Sequence, residues 1–169
     1  MKKNIKFLIM DVDGTLTDGK IYMGNNGELF KAFDIKDGCG IHDILVPAGI
    51  IPIIITGRKS KILEKRCIEL GVKELYQGIH DKKKKLNELL SAQDNQISQT
   101  EIHTYSKCAY IGDDINDLSC MESIKSAGGL IGCPANAIKK VRELADFISE
   151  KKGGDGAVRE FIEWICEEF

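Results

Sequence analysis

Two carboxylates two residues apart, Asp11 and Asp13, follow the apolar run Phe7-Leu8-Ile9-Met10 and precede Gly14-Thr15. Strand side chains alternate faces, so this pair can converge only if the strand ends there. Open α/β sheets place their ligands at the carboxyl ends of strands. A carboxylate pair at such a point suits a hard divalent cation. One carboxylate could also attack an electrophile while the other moves a proton. Further signals follow in order. Thr56-Gly57-Arg58 closes the apolar run Ile53-Ile54-Ile55. Lys82 opens a helix-like segment after Gln77-Gly78-Ile79-His80-Asp81. Gly112-Asp113-Asp114-x-x-Asp117 follows Ala109-Tyr110-Ile111. Each alone is weak, because a lone D-x-D or Thr-Gly is usually a solvated turn. All of them in one order, each at a strand end or a helix start, are hard to produce by accident.

Lys82 begins a run of lysines, most of which fit a solvated basic face. It lies four residues before Leu86 and shares that apolar face, so it is the lysine placed to reach inward. Asp113, Asp114 and Asp117 suit a helix N-terminus, where acidic residues are favoured. Three so close together exceed what capping needs, which leaves at least one for a metal.

Strand-like and helix-like segments alternate, which argues for an α/β fold: a doubly wound, mostly parallel sheet with helices on both faces. Strand candidates span 5–10, 50–55, 108–111, 130–131 and 147–148, and the first three read as buried central strands. Helix candidates span 60–70, with Ser60 as N-cap and Gly71 as stop, then 82–90, 116–126, 136–144 and 157–166. One segment breaks the alternation. Residues 20–23 and 28–33 flank Gly24-Asn25-Asn26-Gly27, a β-hairpin signal. The hairpin carries Ile21, Met23, Leu29, Phe30 and Phe33. An isolated hairpin is marginal in water, so this one is expected to pack on something such as another subunit. Residues 91–104 are polar and read as a surface loop. No internal repeat or domain boundary is visible, so a single domain over 1–169 is expected.

The 169 residues suffice for a sizeable core. With 43% hydrophobic and 30% charged residues, composition is that of an ordinary soluble protein. A net charge of −2 points to neither nucleic acid nor an anionic membrane. No apolar run is long enough to span a bilayer, and no signal peptide is expected after Met1-Lys2-Lys3. The cysteines, Cys39, Cys67, Cys108, Cys120, Cys133 and Cys166, form no C-x-x-C pair and read as reduced thiols of a cytoplasmic protein. His42, His80 and His103 lack zinc-type spacing.

The four motifs resemble those of the haloacid dehalogenase superfamily of phosphotransferases. Within it, the chain is similar to the 3-deoxy-D-manno-octulosonate 8-phosphate (KDO 8-phosphate) phosphatase family over about residues 7–159. The resemblance extends to Ile21-Tyr22-Met23-Gly24-Asn25-Asn26-Gly27, Lys31-Ala32-Phe33, Asp37-Gly38-x-Gly40-Ile41, Leu75-Tyr76-Gln77-Gly78 and Gly156-Ala157-Val158-Arg159-Glu160. It implies a Mg²⁺-dependent phosphatase of lipopolysaccharide biosynthesis. Asp11 would be the nucleophile and Asp13 the general acid and base. Asp11, the Asp13 backbone carbonyl and Asp113 would hold the metal. Thr56 and Lys82 would bind the phosphoryl group, and Asp37, Gly38, Arg58 and Arg66 would line the substrate pocket. The spacings leave no room for a cap domain, and the capless family answer is a homotetramer whose subunits wall one another's sites.

Three positions depart from the family pattern. Asp34 stands where asparagine is common, and His42 and Asp155 stand where arginine is frequent. Asp34 and His42 are retained as substrate-pocket candidates. Each change makes the pocket or its rim less positive, which keeps a nine-carbon 2-keto sugar acid 9-phosphate open as an alternative substrate. Arg58 after Thr56-Gly57 favours the eight-carbon reading. The non-enzymatic alternative is a receiver-type domain phosphorylated on aspartate, which would lack a counterpart of Asp13.

Overall fold

A computed structural model describes residues 4–93 and 104–168. Six strands form one parallel sheet in the order β5-β4-β1-β6-β7-β8. They are β1 (Phe7–Met10), β4 (Ile51–Thr56), β5 (Glu74–Gln77), β6 (Cys108–Ile111), β7 (Leu130–Cys133) and β8 (Phe147–Ile148). β1 lies at the centre, paired with β4 on one side and β6 on the other. Its four residues are buried on both faces, which explains why it reads as a continuous apolar run. Leu8 and Met10 join one hydrophobic cluster, Phe7 and Ile9 the other.

The helices divide between these clusters. α1 (Ile35–Cys39) runs on into a π-helical segment, Gly40–Leu45. That segment, α2 (Lys61–Leu70) and the terminal helix α6 (Ala157–Glu168) cover the face with Leu8 and Met10. α6 alone buries Val158, Phe161, Ile162 and Ile165 there, at roughly 1.5–3 kcal/mol for each large side chain. α3 (Lys82–Gln93), α4 (Leu118–Ser126) and α5 (Lys139–Leu144) cover the other face. α2 begins where expected: Ser60 Oγ accepts from the Leu63 N–H at 3.2 Å, and Gly71 closes the helix in the left-handed conformation.

The hairpin is present as β2 (Tyr22–Gly24) and β3 (Gly27–Phe30). Gly24 pairs with Gly27, and Gly27 rather than either asparagine takes positive φ. The Tyr22 and Phe30 rings stack 4.2 Å apart, and a bridge between Thr17 and Phe33 fastens the hairpin's base. Ile21, Met23, Leu29 and Phe30 are all exposed. Between β1 and β4 the chain inserts only this hairpin, α1 and the π-helical segment; between β4 and α3 it inserts α2 and β5.

The element boundaries differ from expectation at helix starts. α4 begins at Leu118 rather than 116 because Asp114 to Asp117 close a turn, with the Asp117 N–H on the Asp114 carbonyl at 3.1 Å. α5 begins at Lys139 because residues 134–137 form another turn. Of the polar stretch 91–104, residues 91–93 complete α3 and 94–103 lie outside the described residues. No helix among the described residues is long and apolar enough to cross a membrane.

Candidate active site

The chain lays β4 and β5 on one side of β1, then returns through α3 to lay β6 on the other. This reversal opens a crevice at the carboxyl ends of β1 and β6, the place where doubly wound sheets bind ligands. The Asp11 N–H bonds the Ile111 carbonyl at 3.0 Å, which locks the two strand ends together. Asp11 therefore faces the Gly112–Asp117 loop. Thr56 ends β4 on the opposite flank and is 2% exposed.

Lys82 opens α3 and is 2% exposed. Its ammonium donates to Asp11 Oδ1 at 2.6 Å and to Asp117 Oδ1 at 2.8 Å. The same Asp117 oxygen accepts from the Tyr110 hydroxyl at 2.7 Å. Asp117 Oδ2 accepts from the Asp113 and Asp114 N–H groups at 3.1 and 3.2 Å. Asp113 accepts from the Thr15 hydroxyl at 2.9 Å. Gly14, at φ 96°, permits this approach: a Cβ there would lie 2.1 Å from an Asp113 oxygen.

The electrostatics of the cluster are unbalanced. Burial pushes the Asp11 carboxyl up to about 7; Asp117 adds to the rise, and Lys82 pulls it back. Burial likewise raises Asp113 to about 6, opposed by the Thr15 hydroxyl. Burial works against the Lys82 charge, but Asp11 and Asp117 outweigh it and hold the ammonium above the usual lysine value. Three carboxylates with oxygens within 4.8 Å of one another thus face one ammonium. A hard dication with oxygen ligands fits this donor set and would offset the surplus negative charge. Because donors already occupy both Asp117 oxygens, Asp11 and Asp113 are the carboxylates suited to ligation. The Asp13 side chain turns away from these carboxylates, toward Lys31.

Asp13 belongs to a neighbouring charge network. Lys31 contacts Asp13 Oδ1 and lies 3.2 Å from Glu28 Oε1. Arg58 reaches within 4.0 Å of Asp13 Oδ2 and 3.9 Å of Glu28. Ser60 Oγ donates to the second Glu28 oxygen.

Asp34, Asp37, Gly38 and Arg66 line one small cavity beneath Phe33. Asp34 caps α1, accepting from the Lys36 N–H at 2.6 Å. Asp37 is 1% exposed; its Oδ1 accepts from the Arg159 N–H at 2.8 Å, and burial raises its carboxyl to about 6. Asp37 Oδ2 and Arg66 Nε are buried without a hydrogen-bond partner among the described residues. His42 stands apart, exposed on the π-helical segment with Nδ1 2.6 Å from Asp43.

The geometry has close relatives. The chain is 44% identical over 165 residues to 3-deoxy-D-manno-octulosonate 8-phosphate phosphatase KdsC of Escherichia coli K12, spanning 98% of this chain and 79% of that protein. It belongs to the KDO 8-phosphate phosphatase family. The crystal structure of the family's Yersinia pestis member superposes with a TM-score of 0.84 at 42% identity, covering 97% of this chain and 82% of that one. The Moraxella catarrhalis member, in complex with magnesium ion, phosphate ion and KDO, superposes with a TM-score of 0.86 at 38% identity, covering 99% and 88%. No protein-family model matches the chain. Several site residues of this KDO 8-phosphate phosphatase homologue were not legible as such. Tyr110 looks like core inside an apolar strand. Lys31 and Glu28 carry no spacing that names Asp13 or Ser60 as partners.

Proposed function

We propose that this chain hydrolyses the phosphate monoester of KDO 8-phosphate with Mg²⁺ as its cofactor, working as one phosphatase domain. One observation carries the reading: Asp11, buried at the end of β1, shares a crevice with Lys82 and Asp113. Phosphoryl transfer demands positioning and neutralisation of the equatorial oxygens more than covalent chemistry from the protein. Lys82 supplies an ammonium and Thr56 a hydroxyl donor for those oxygens. Mg²⁺, held by Asp11, the Asp13 carbonyl and Asp113, would supply the remaining positive charge and screen Asp11 from the anionic substrate.

In the first step an Asp11 oxygen bonds to phosphorus, the bond from phosphorus to the sugar oxygen breaks, and Asp13 gives its proton to that oxygen. In the second step Asp13 takes a proton from water, whose oxygen attacks phosphorus and releases phosphate and free Asp11. Arg58, beside Asp13, and Asp37, Gly38 and Arg66, nearer the hairpin base, are the candidate contacts to the sugar acid. Asp34 and His42 are the candidates whose types depart from the family, and they keep the nine-carbon 2-keto sugar acid 9-phosphate as the second reading. Membership of a phosphatase family sets the receiver alternative aside. The test is phosphate release from the eight- and nine-carbon esters with and without Mg²⁺. Larger kcat/KM on KDO 8-phosphate, lost with chelator and in Asp11→Asn, supports the proposal; turnover by Asp11→Asn equal to the unsubstituted protein refutes it.

Two further readings accompany it. The exposed apolar hairpin and the absence of a cap among the described residues support a homotetramer, to be checked by sedimentation at micromolar concentration. All six cysteines are free thiols, which supports a cytoplasmic location, to be checked by fractionation.

A further inference from the structure

Resting on the acid–base role proposed for Asp13, we infer that Lys31 is the positioning residue that fixes Asp13 for proton transfer, and that Glu28 in turn fixes Lys31. The Lys31 side chain is only 5% exposed. Lysine is almost never so buried unless paired, and here it is paired twice, with Asp13 and Glu28. Glu28 is anchored at its other oxygen by Ser60, whose hydroxyl also caps α2. The chain of contacts therefore runs from the general acid through the hairpin to a helix of the main fold. The bridge between Thr17 and Phe33 closes the loop on the other side.

This arrangement answers a mechanical need. Asp13 stands in a turn after β1 with its side chain 23% exposed. An aspartate so placed can sample several rotamers. A general acid must present one oxygen in one direction, and small misplacements are costly. Lys31 occupies Oδ1; Oδ2 has only the looser approach of Arg58 at 4.0 Å, so it is the oxygen left to carry the proton. Lys31, Arg58, Asp13 and Glu28 together are neutral, and the buried Lys31 is already paired with both carboxylates, which makes it a poor attractor for a further anion. Lys31 is thus suited to holding Asp13 rather than to binding the carboxylate of the sugar acid. The hairpin becomes part of the catalytic apparatus as well as an exposed apolar surface.

The test uses two esters that both lack a carboxylate. Glycerol phosphate has a poor alkoxide leaving group that needs a proton. p-Nitrophenyl phosphate has a leaving group that departs without one. For Lys31→Met with Mg²⁺, kcat/KM on glycerol phosphate should fall about a hundredfold, and the ratio of the two esters should shift at least about tenfold against it. Lys31→Arg should restore most of the loss. Glu28→Gln, which leaves both Lys31 and Asp13 in place, should show the same selectivity at smaller size and serves if Lys31→Met does not fold. Equal losses on both esters, or a loss confined to KDO 8-phosphate, would overturn the inference. Asp13→Asn, run in parallel, separates the two levels. If it shows the selectivity and the Lys31 and Glu28 variants do not, this inference alone fails; if it shows none, the acid role beneath fails too.

Discussion

Asp117 spends both of its oxygens on holding its neighbours in place. It accepts from Lys82, Tyr110 and two backbone N–H groups. An asparagine would turn an NH₂ toward one of those donor pairs, leaving buried donors face to face. Asp117→Asn should therefore weaken Mg²⁺ binding by about 10–100-fold, the usual cost of losing a partner that orients a metal ligand. Isothermal titration checks this, and unchanged affinity would show that the Asp113 loop holds without it. Asp11→Asn should act differently. Its wild-type carboxyl rises from 3.8 to about 7, so the stability it contributes while protonated is lost as pH climbs from about 4 to 7 and stays lost above that. Asp11→Asn should abolish turnover yet melt higher than the unsubstituted metal-free protein at about pH 8, with the gain shrinking as pH falls and gone only below about pH 4, where the carboxyl is protonated in both folded and unfolded chains. Some of this site could be read from the chain and some could not. The four-residue spacing to Leu86 put Lys82 on the buried face of α3, and it is there that it meets Asp11. Periodicity reports faces of one element. It cannot report that Lys31 meets a carboxylate 18 positions earlier across a turn.

At the scale of elements, the loop before α6 braces the nucleophile loop from behind. The Gly154 N–H bonds the Thr15 carbonyl at 3.1 Å, and the Gly153 N–H bonds Asn136 Oδ1 at 3.0 Å. A Cβ on Gly153 would lie 1.8 Å from the Gly14 carbonyl oxygen. That neighbour is backbone, so no rotamer change can relieve the clash. Gly153→Ala should lower stability by roughly 2–4 kcal/mol and should cut kcat more than Gly49→Ala, which bears the strain of φ 79° away from the site but whose Cβ meets nothing within 4 Å. Chemical denaturation and steady-state kinetics on both variants check this; equal effects would mean that the brace does not reach the site. No sequence pattern pairs the glycines of this loop with residues 14–15, because the contact joins chain segments far apart. Strands were easier to read, because β1, β4 and β6 are buried on both faces and show as unbroken apolar runs. Helix starts drifted because Asp114 and Pro134 open turns that a helical pattern overruns.

For the whole molecule, alternation of strands and helices foretold a doubly wound sheet. It does not say on which side of β1 each new strand is laid. That choice, β4 and β5 on one side and β6 on the other, creates the crevice and brings Asp11 beside Asp113. It also concentrates buried carboxylates whose charged forms are disfavoured. Asp11 at about 7 and Asp113 at about 6 both lie above the ordinary 3.8. Raised carboxyls favour the fold while protonated, so their contribution is complete below about pH 4 and is lost as pH rises toward 7. Asp37, raised to about 6 outside the metal cluster, adds to the same decline. A dication binds the ionised forms and competes with protons, so it should reverse the part due to Asp11 and Asp113 alone. The rise in Tm on adding Mg²⁺ should therefore be small near pH 5, grow through pH 6–7 and level off by about pH 8. At a concentration about 100 times Kd the plateau is worth about 2.7 kcal/mol, or about 5–10 °C for a domain of this size. Thermal melts across pH with and without Mg²⁺ measure it, and the difference between the two cancels the Asp37 contribution. The increment should shrink in Asp113→Asn. An equal increment at pH 5 and pH 8 would mean that these carboxylates do not hold the ion.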